Sequence, residues 1–496
     1  MTCTVTMPSE KSAEIRCVGL VELARADYQF PTPFIIELEQ GEFFAEKLVR
    51  LIPKRRMVVF GSWRGVPAVA KIFFDRIHAV RHLTAEVTGI KVMQENKIPT
   101  PELLYSGPAA DQGIQILICE QLTNANDLDM LWSQRESDES LLPTLQAVMI
   151  EVATQHVLGV LQRDMHLGNF LVTDKVIYTI DGAQIEAKPA LIGRKESMEN
   201  LALLISQLGA GVDGLKHALF LHYARARGWL LKPADTREMQ FQIKKSDVDR
   251  WQRYGKKIFR ASTDFIELKR LGWKGMAQRR YLGDELQAFI KNPDAVFSKP
   301  ETVMLKDGRS STVVKANFDG QELVIKRYNM KNAWHRMRRM LRYTRAQRSW
   351  RLAQKLCLFN VNTALPVAYL ESNWLGVRGK SYFVMKYIPG NDVKSYLAEF
   401  EQEPYAAANV MQRVANLLMS LTKLDVTHGD LKATNIIINE HGHPYLIDLD
   451  GAIEHLSLAG LHRAWRSERK RFMRNFEDLP AISEVLNRLM RSHHSR

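Results

Sequence analysis

Cysteine is scarce in this sequence. Four cysteines occur among 496 residues (Cys3, Cys17, Cys119 and Cys357), and no two form a C-x-x-C pair, so neither a disulfide framework nor a zinc site is indicated. Long apolar runs are also missing. No stretch approaches the roughly 18 consecutive apolar residues that a membrane-spanning helix requires. The opening M-T-C-T-V-T-M-P-S-E-K has neither the basic region nor the apolar core of a secretory signal, and a cytoplasmic protein is expected. The stretch from Arg56 to Phe74 has no G-x-G-x-x-G, and no acidic residue lies between Lys326 and Glu371.

What is present is an ordinary globular composition, 46% hydrophobic and 25% charged, long enough for two or three domains. Against 55 Asp and Glu stand 69 Lys and Arg, a net charge of +14 that favours an anionic partner such as nucleic acid, an acidic membrane face or a phosphorylated substrate. The excess is uneven, since Lys326 to Arg351 holds ten basic residues. Trp334, Met337 and Leu341 fall there at helical spacing, which reads as a basic amphipathic helix whose apolar stripe packs on its own domain more readily than it enters a membrane. No base-reading motif accompanies the charge, so nucleic acid is not the expected partner.

The informative stretch is Thr427 to Asn435, T-H-G-D-L-K-A-T-N, followed by L-I-D-L-D at Leu446 to Asp450. An Asp, an Asn five residues on, and a second Asp ending an apolar run form the spacing with which kinase-like phosphotransferases hold a hydroxyl and a metal nucleotide. The pattern occurs twice. Leu161 to Asn169 reads L-Q-R-D-M-H-L-G-N, and Ile180-Asp181-Gly182 follows. A lone Asp or Asn of this kind is an ordinary turn residue; the ordered recurrence is what argues for chemistry.

Upstream of each loop a strand lysine is expected. Arg56 to Phe74 reads as a β-hairpin turning at Gly61 to Gly65 and ending in a strand that carries Lys71, and the helical stretch from His78 to Glu95 places Glu86 fifteen residues later. A flexible ammonium must be held before it can neutralise phosphate charge, which is the work of such a glutamate. Gly61 and Gly65 are candidates for backbone approach to phosphate. Phe34 to Phe44 reads as a strand or short helix, and Phe241 to Phe289 as helical and basic. A second strand series then runs Thr302 to Leu305, a turn containing Gly308, Thr312 to Ala316, and Glu322 to Arg327 carrying Lys326.

Subtraction exposes a duplication. Lys71 to Lys326 is 255 residues, Asp164 to Asp430 and Asn169 to Asn435 are each 266, and Asp181 to Asp448 is 267. One member does not repeat, because the position matching Glu86 is Ser349. The expected architecture is α+β: two tandem protein-kinase-like domains, each a small β-rich N-lobe and a mainly helical C-lobe. Residues 22–235 form the first, 236–290 a basic helical connector and 291–496 the second. On the missing glutamate alone, Asp164→Asn is expected to remove more activity than Asp430→Asn.

The motifs G-S-W-R-G-V-P-A-V-A-K, Q-R-D-M-H-L-G-N, L-V-I-K-R-Y-N, H-G-D-L-K-A-T-N and Y-L-I-D-L-D resemble those of the lipopolysaccharide core kinases of Gram-negative bacteria, which phosphorylate heptose or Kdo sugars. That resemblance implies ATP and Mg2+ as cofactors and Asp164 and Asp430 as catalytic aspartates. It further implies Asn169, Asp181, Asn435 and Asp448 as metal ligands, and Lys71 and Lys326 as phosphate-contacting lysines. The implied acceptor is lipopolysaccharide core or a lipid-linked sugar, met peripherally at the anionic cytoplasmic face of the inner membrane, with Lys326 to Arg351 and Arg463 to Arg474 as contact surfaces. The sequence departs from the kinase pattern at Gln162, where a His is usual, and after Asp181 and Asp448, where Gly-Ala and Leu-Asp stand for Phe-Gly. Two other readings stay open: a kinase of protein or of a soluble small molecule, and a scaffold in which one domain is non-catalytic.

Overall fold

A computed structural model describes residues 16–135, 137–329, 343–374 and 377–492. By internal contacts the chain divides into two compact units, Met1–Ile205 with His217–Ile243 and Ser206–Lys216 with Lys244–Arg496. Both are protein-kinase-like, with a curled antiparallel sheet followed by a mainly helical lobe.

In the first unit the sheet comprises β1 (Phe34–Leu38), β2 (Gly41–Ile52), β3 (Arg56–Trp63), β4 (Val66–Phe73), β5 (Leu103–Pro108) and β6 (Gln115–Glu120), in the order β1-β2-β3-β4-β6-β5. The stretch around Phe34 to Phe44 is therefore two strands. Alternation decides this: Phe34, Ile36 and Leu38 point into one core with Met57, Val59, Ala68, Ala70, Ile72 and Ile116. The other face of β4 carries Lys71 and Phe73, and Phe73 packs with Leu117 against helix α1 (Ala79–Glu95) through Leu83, Ile90 and Met93. The helical lobe contains α2 (Leu142–Val157), which buries Leu145, Val148, Met149 and Val152 at helical spacing, and α3 (Arg194–Ile205).

Helix α4 (Pro233–Lys257) ends well short of the helical run expected as far as Phe289. Beyond it, β7 (Phe265–Arg270) and β8 (Trp273–Gln278) form a hairpin with Leu271-Gly272 at its turn, Gly272 having a φ of 74°. Two-residue hairpin turns need positive φ, which glycine supplies freely. Both faces of the hairpin are covered, Phe265 and Met276 in one core and Leu268 and Ala277 in another, so apolar residues do not alternate cleanly in the sequence. The hairpin joins β9 (Val303–Asp307), β10 (Ser311–Phe318), β11 (Gln321–Tyr328), β12 (Pro366–Trp374) and β13 (Val377–Lys386) in a seven-stranded sheet ordered β7-β8-β12-β13-β11-β10-β9.

Leu323 and Ile325 of β11 face a core with Val314, Phe318 and Tyr382. Val324 and Tyr328 face the opposite way, toward Trp350, Ala353 and Leu356 of helix α5 (Arg345–Leu358), and Lys326 sits between them in the strand's two-residue period. Helices α6 (Ala408–Lys423), α7 (Leu458–Met473) and α8 (Pro480–Ser492) complete the unit. Of the basic helix expected over Lys326 to Arg351, the first residues belong to β11 and the last to α5, while Trp334, Met337 and Leu341 lie outside the described residues.

Candidate active site

In the first unit the apolar stripe of α1 runs Ala79, Leu83, Glu86, Ile90, Met93, so Glu86 occupies an inward position and is 1% exposed. A carboxylate in such a stripe requires a partner. Lys71 supplies it, its Nζ lying 2.7 Å from Glu86 Oε1 and 3.0 Å from Asp181 Oδ1. Burial disfavours the ammonium, but the two carboxylates outweigh it and hold Lys71 above its ordinary pKa. Burial lifts Glu86 above the usual carboxylate range despite Lys71, while Asp181, also penalised by burial, is held below it by the same lysine.

Asp181 takes a left-handed conformation, φ 70°. The following glycine then has a reason to be glycine: a Cβ on Gly182 would stand 2.4 Å from the Glu86 carbonyl oxygen, and one on Gly89 would stand 1.9 Å from the Gly182 carbonyl oxygen. Backbone meets backbone where α1 crosses the turn after Asp181, which accounts for Gly in place of the usual Phe.

The loop holding Asp164 is tied to this turn. Gln162 donates from Nε2 to the Ile180 carbonyl at 2.9 Å, Asn169 donates from Nδ2 to the Asp164 carbonyl at 2.8 Å, and the Ile180 N–H donates to the Asn169 carbonyl at 2.9 Å. From behind, Asn200 of α3 donates to the Gln162 carbonyl at 2.8 Å and contacts His156 Nε2 at 3.0 Å. Asp164 itself is exposed.

The second unit repeats the three ties within the loop. His428 Nε2 meets the Ile447 carbonyl at 2.9 Å, Asn435 Nδ2 donates to the Asp430 carbonyl at 2.9 Å, and the Ile447 N–H donates to the Asn435 carbonyl at 2.9 Å. Gln162 thus makes the bond that the histidine makes in the other copy. Asp448 repeats the left-handed conformation at φ 59°. Two differences stand out. Asp430 is flanked by cations, Lys432 Nζ at 2.8 Å and Arg471 at 3.9 Å. Its loop is also clamped by Glu468 of α7, buried at 4%, which accepts from the N–H groups of His428 and Gly429.

Lys326 is not left unheld. Its Nζ lies 2.5 Å from Asp448 Oδ1 and 2.7 Å from Asp450 Oδ2. The other oxygen of Asp450 accepts from the Tyr328 hydroxyl and from Ser349 Oγ, the latter at 3.2 Å. Burial and Asp450 together push the Tyr328 phenol well above its usual pKa, so it remains a donor. Burial works against the Asp448 carboxylate as it does against Asp181, and again a lysine, Lys326, keeps it below the usual range.

Not every candidate belongs to these clusters. Lys71 pairs with Val58, three residues beyond the turn at 53–55, and Lys326 pairs with Val313, three residues beyond the turn at 308–310. Gly308 is therefore on the lysine side of its sheet. Gly61 and Gly65 are not. Gly65 sits in the two-residue turn Arg64-Gly65, six residues from Lys71 along β4, about 20 Å at the strand rise. Its counterpart is Gly320 in the turn Asp319-Gly320. Gly61 lies inside β3, where a Cβ would stand 1.9 Å from the Phe44 carbonyl oxygen, so strand packing explains it. The sequence shows glycines but not which end of a hairpin they occupy. Pro53, Lys54 and Arg55 fill the first unit's lysine-side turn, and Arg56, the first residue of β3, reaches Glu86 at 3.7 Å.

Among the described residues no group of three or more His, Cys, Asp or Glu side chains forms a metal cage. Magnesium does not need one, because it prefers hard oxygen donors and keeps ligands from phosphate and water. An Asn amide and an Asp carboxylate, fastened to each other through one backbone bond in both units, are donors of that kind. The buried Glu86 Oε2 has no hydrogen-bond partner, leaving acceptor capacity beside Lys71.

Residues 295–490 match the lipopolysaccharide kinase (Kdo/WaaP) family. The match falls within the second unit. The matched residues run from just before β9 into α8 and include Lys326, Asp430, Asn435, Asp448 and Asp450. The chain is also similar to the mouse serine/threonine-protein kinase Nek4, 32% identical over 130 residues, which is 26% of this chain and 15% of that protein.

Proposed function

We propose that this chain is an ATP- and magnesium-dependent phosphotransferase that phosphorylates a sugar hydroxyl of the lipopolysaccharide inner core, on heptose or Kdo. The observation that carries this reading is the recurrence, in two units, of a strand lysine held between two carboxylates beside an Asp–Asn loop. Bound magnesium-ATP supplies the phosphoryl group and neutralises charge as it transfers. The protein's part is positioning. Lys326 and Lys71 present an ammonium fixed from two sides. Asn435 with Asp448, and Asn169 with Asp181, offer the hard oxygens for the metal. Asp430 and Asp164 accept the acceptor hydroxyl's hydrogen and orient its oxygen, and Lys432 sets a cation 2.8 Å from Asp430.

The acceptor is proposed from the family match together with the basic surface. In the second unit a cleft of about 610 Å³ is lined by Trp465, Arg466, Arg469, Lys470, Met473 and Arg474, on a face of α7 other than the one that turns Glu468 and Arg471 to the Asp430 loop. Such a surface suits phosphorylated glycolipid at the anionic cytoplasmic face of the inner membrane. No helix among the described residues is long and apolar enough to cross a membrane, so contact there would be peripheral.

Purified protein given labelled ATP, magnesium and core oligosaccharide from a strain lacking this chain is expected to label the sugar. Label on protein substrates alone would favour the protein-kinase reading. No transfer to either would favour the scaffold reading.

A further inference from the structure

We infer that Asp450 is the positioning residue for Lys326, and that the second unit has moved this carboxylate from the helix to the turn that follows its metal-binding aspartate. The proposal rests on the nucleotide-site reading above and adds a residue to it.

The exchange is reciprocal. In the first unit the helix contributes Glu86 and the turn after Asp181 contributes Gly182-Ala183-Gln184. In the second the helix contributes Ser349 and the turn after Asp448 contributes Leu449-Asp450-Gly451. Asp450 therefore stands where the first unit has Ala183, and Ser349 where it has Glu86. The lysine meets the same pair of charges in both: 2.7 and 3.0 Å in one, 2.7 and 2.5 Å in the other.

The surrounding hydroxyls explain why the shorter Asp serves. Tyr328 lies two residues past Lys326 on the same strand face, and Ser349 is fully buried in the α5 stripe. Both donate to Asp450 Oδ1, which turns Oδ2 to the lysine. Ser349 is thus not an empty position but the anchor of the relocated carboxylate. Arg348 adds a bond to the Asp450 carbonyl at 3.1 Å.

A regulatory consequence follows. In the first unit the holder of Lys71 is on a helix and the metal-site aspartate is on a separate loop, so moving α1 would break the triangle. In the second unit both carboxylates are on the three-residue segment Asp448 to Asp450, so moving α5 would take away the Ser349 anchor but not the carboxylate itself. The second site depends less on the position of its helix than the first.

The test uses full-length protein and the lysine-directed adenosine analogue 5′-(4-fluorosulfonylbenzoyl)adenosine, with labelled peptides mapped by mass spectrometry and Lys71 as internal reference. Asp450→Asn keeps the shape and an acceptor for both hydroxyls while removing the charge facing Lys326. It is expected to slow labelling of Lys326 about tenfold and leave Lys71 unchanged, with MgADP affinity of the second site falling by a similar factor. Glu86→Gln should do the reverse. Asp450→Ala combined with Ser349→Glu, which returns the carboxylate to the helix, is expected to recover most of the Lys326 labelling lost in Asp450→Ala alone. Wild-type labelling of Lys326 in Asp450→Asn, with an unchanged melting profile, would overturn the role. If the wild type labels at neither lysine, the nucleotide-site reading fails and takes this role with it.

Discussion

The two units assemble one triangle of charge from different parts of the chain. In the first, a helix glutamate holds the lysine, and glycines bring that helix against the turn after Asp181. In the second, Leu449 fills the place of Gly182, a serine fills the place of the glutamate, and the turn supplies the carboxylate. What is retained is a position in space, not a position in sequence. An ammonium needs two carboxylates at hydrogen-bond distance, and the backbone that delivers them is free to change.

The sharpest separation of the units lies in their loops. Asp430 has Lys432 and Arg471 beside it and a buried glutamate clamping its backbone, whereas Asp164 is exposed. With Lys326 now held, the sequence argument for the first site as the stronger one disappears. Asp430→Asn is expected to lower sugar phosphorylation by about 10³-fold and Asp164→Asn by less than about tenfold, read from labelled phosphate on core oligosaccharide. Equal losses would show that the copies act together.

Next in size is a test of how α1 packs. Gly89→Ala should cost about 3 kcal/mol of the first unit's stability in chemical denaturation, since its Cβ would meet the Gly182 carbonyl oxygen at 1.9 Å. The equivalent position in α5 is Leu352, already a large side chain at 5% exposure. A tolerated Gly89→Ala would mean that α1 is free to shift.

Removing the clamp from the second loop is expected to do slightly less. Glu468→Gln weakens two charge-assisted bonds to backbone N–H groups and should cost about 2.5 kcal/mol, confined to the second unit in hydrogen exchange.

The smallest effect is one of pH. Burial pushes His156 down from 6.5 to about 4, and it is held neutral between Tyr223 and Asn200. The unfolded chain therefore takes up this proton first as the pH falls. Stability from this group is complete above about pH 6.5 and declines toward pH 4, by about 2 kcal/mol between pH 7 and 5. The equivalent residue of the second unit is Thr422, so acid should loosen the first unit preferentially. His156→Gln should flatten the first unit's profile.

Lys71, Glu86, Asp181 and their loop were legible because short-range geometry fixes their spacing. A strand lysine, a helix position and an Asp–Asn loop each keep their own local period. Asp450 was not legible, because its partners Tyr328 and Ser349 lie 122 and 101 residues away and neither hydroxyl advertises a charge partner. The hairpin from Phe265 to Gln278 was read as helix because both its faces are buried, Phe265 and Leu268 three residues apart in different cores, which blurs a two-residue period. Gly61 and Gly65 were read as a phosphate loop because a turn's residues do not say at which end of a sheet it lies.

By itself the sequence determined that the protein is a duplicated α+β chain, since constant offsets between separate motifs survive any drift in the residues between them. It also determined which strand, helix and loop residues of the first unit would converge. Only the tertiary structure decided what holds Lys326. A carboxylate's effect depends on its distance from the ammonium, and folding brings Asp450 to 2.7 Å of a lysine 124 positions earlier in the chain, through a turn that the first unit fills with alanine.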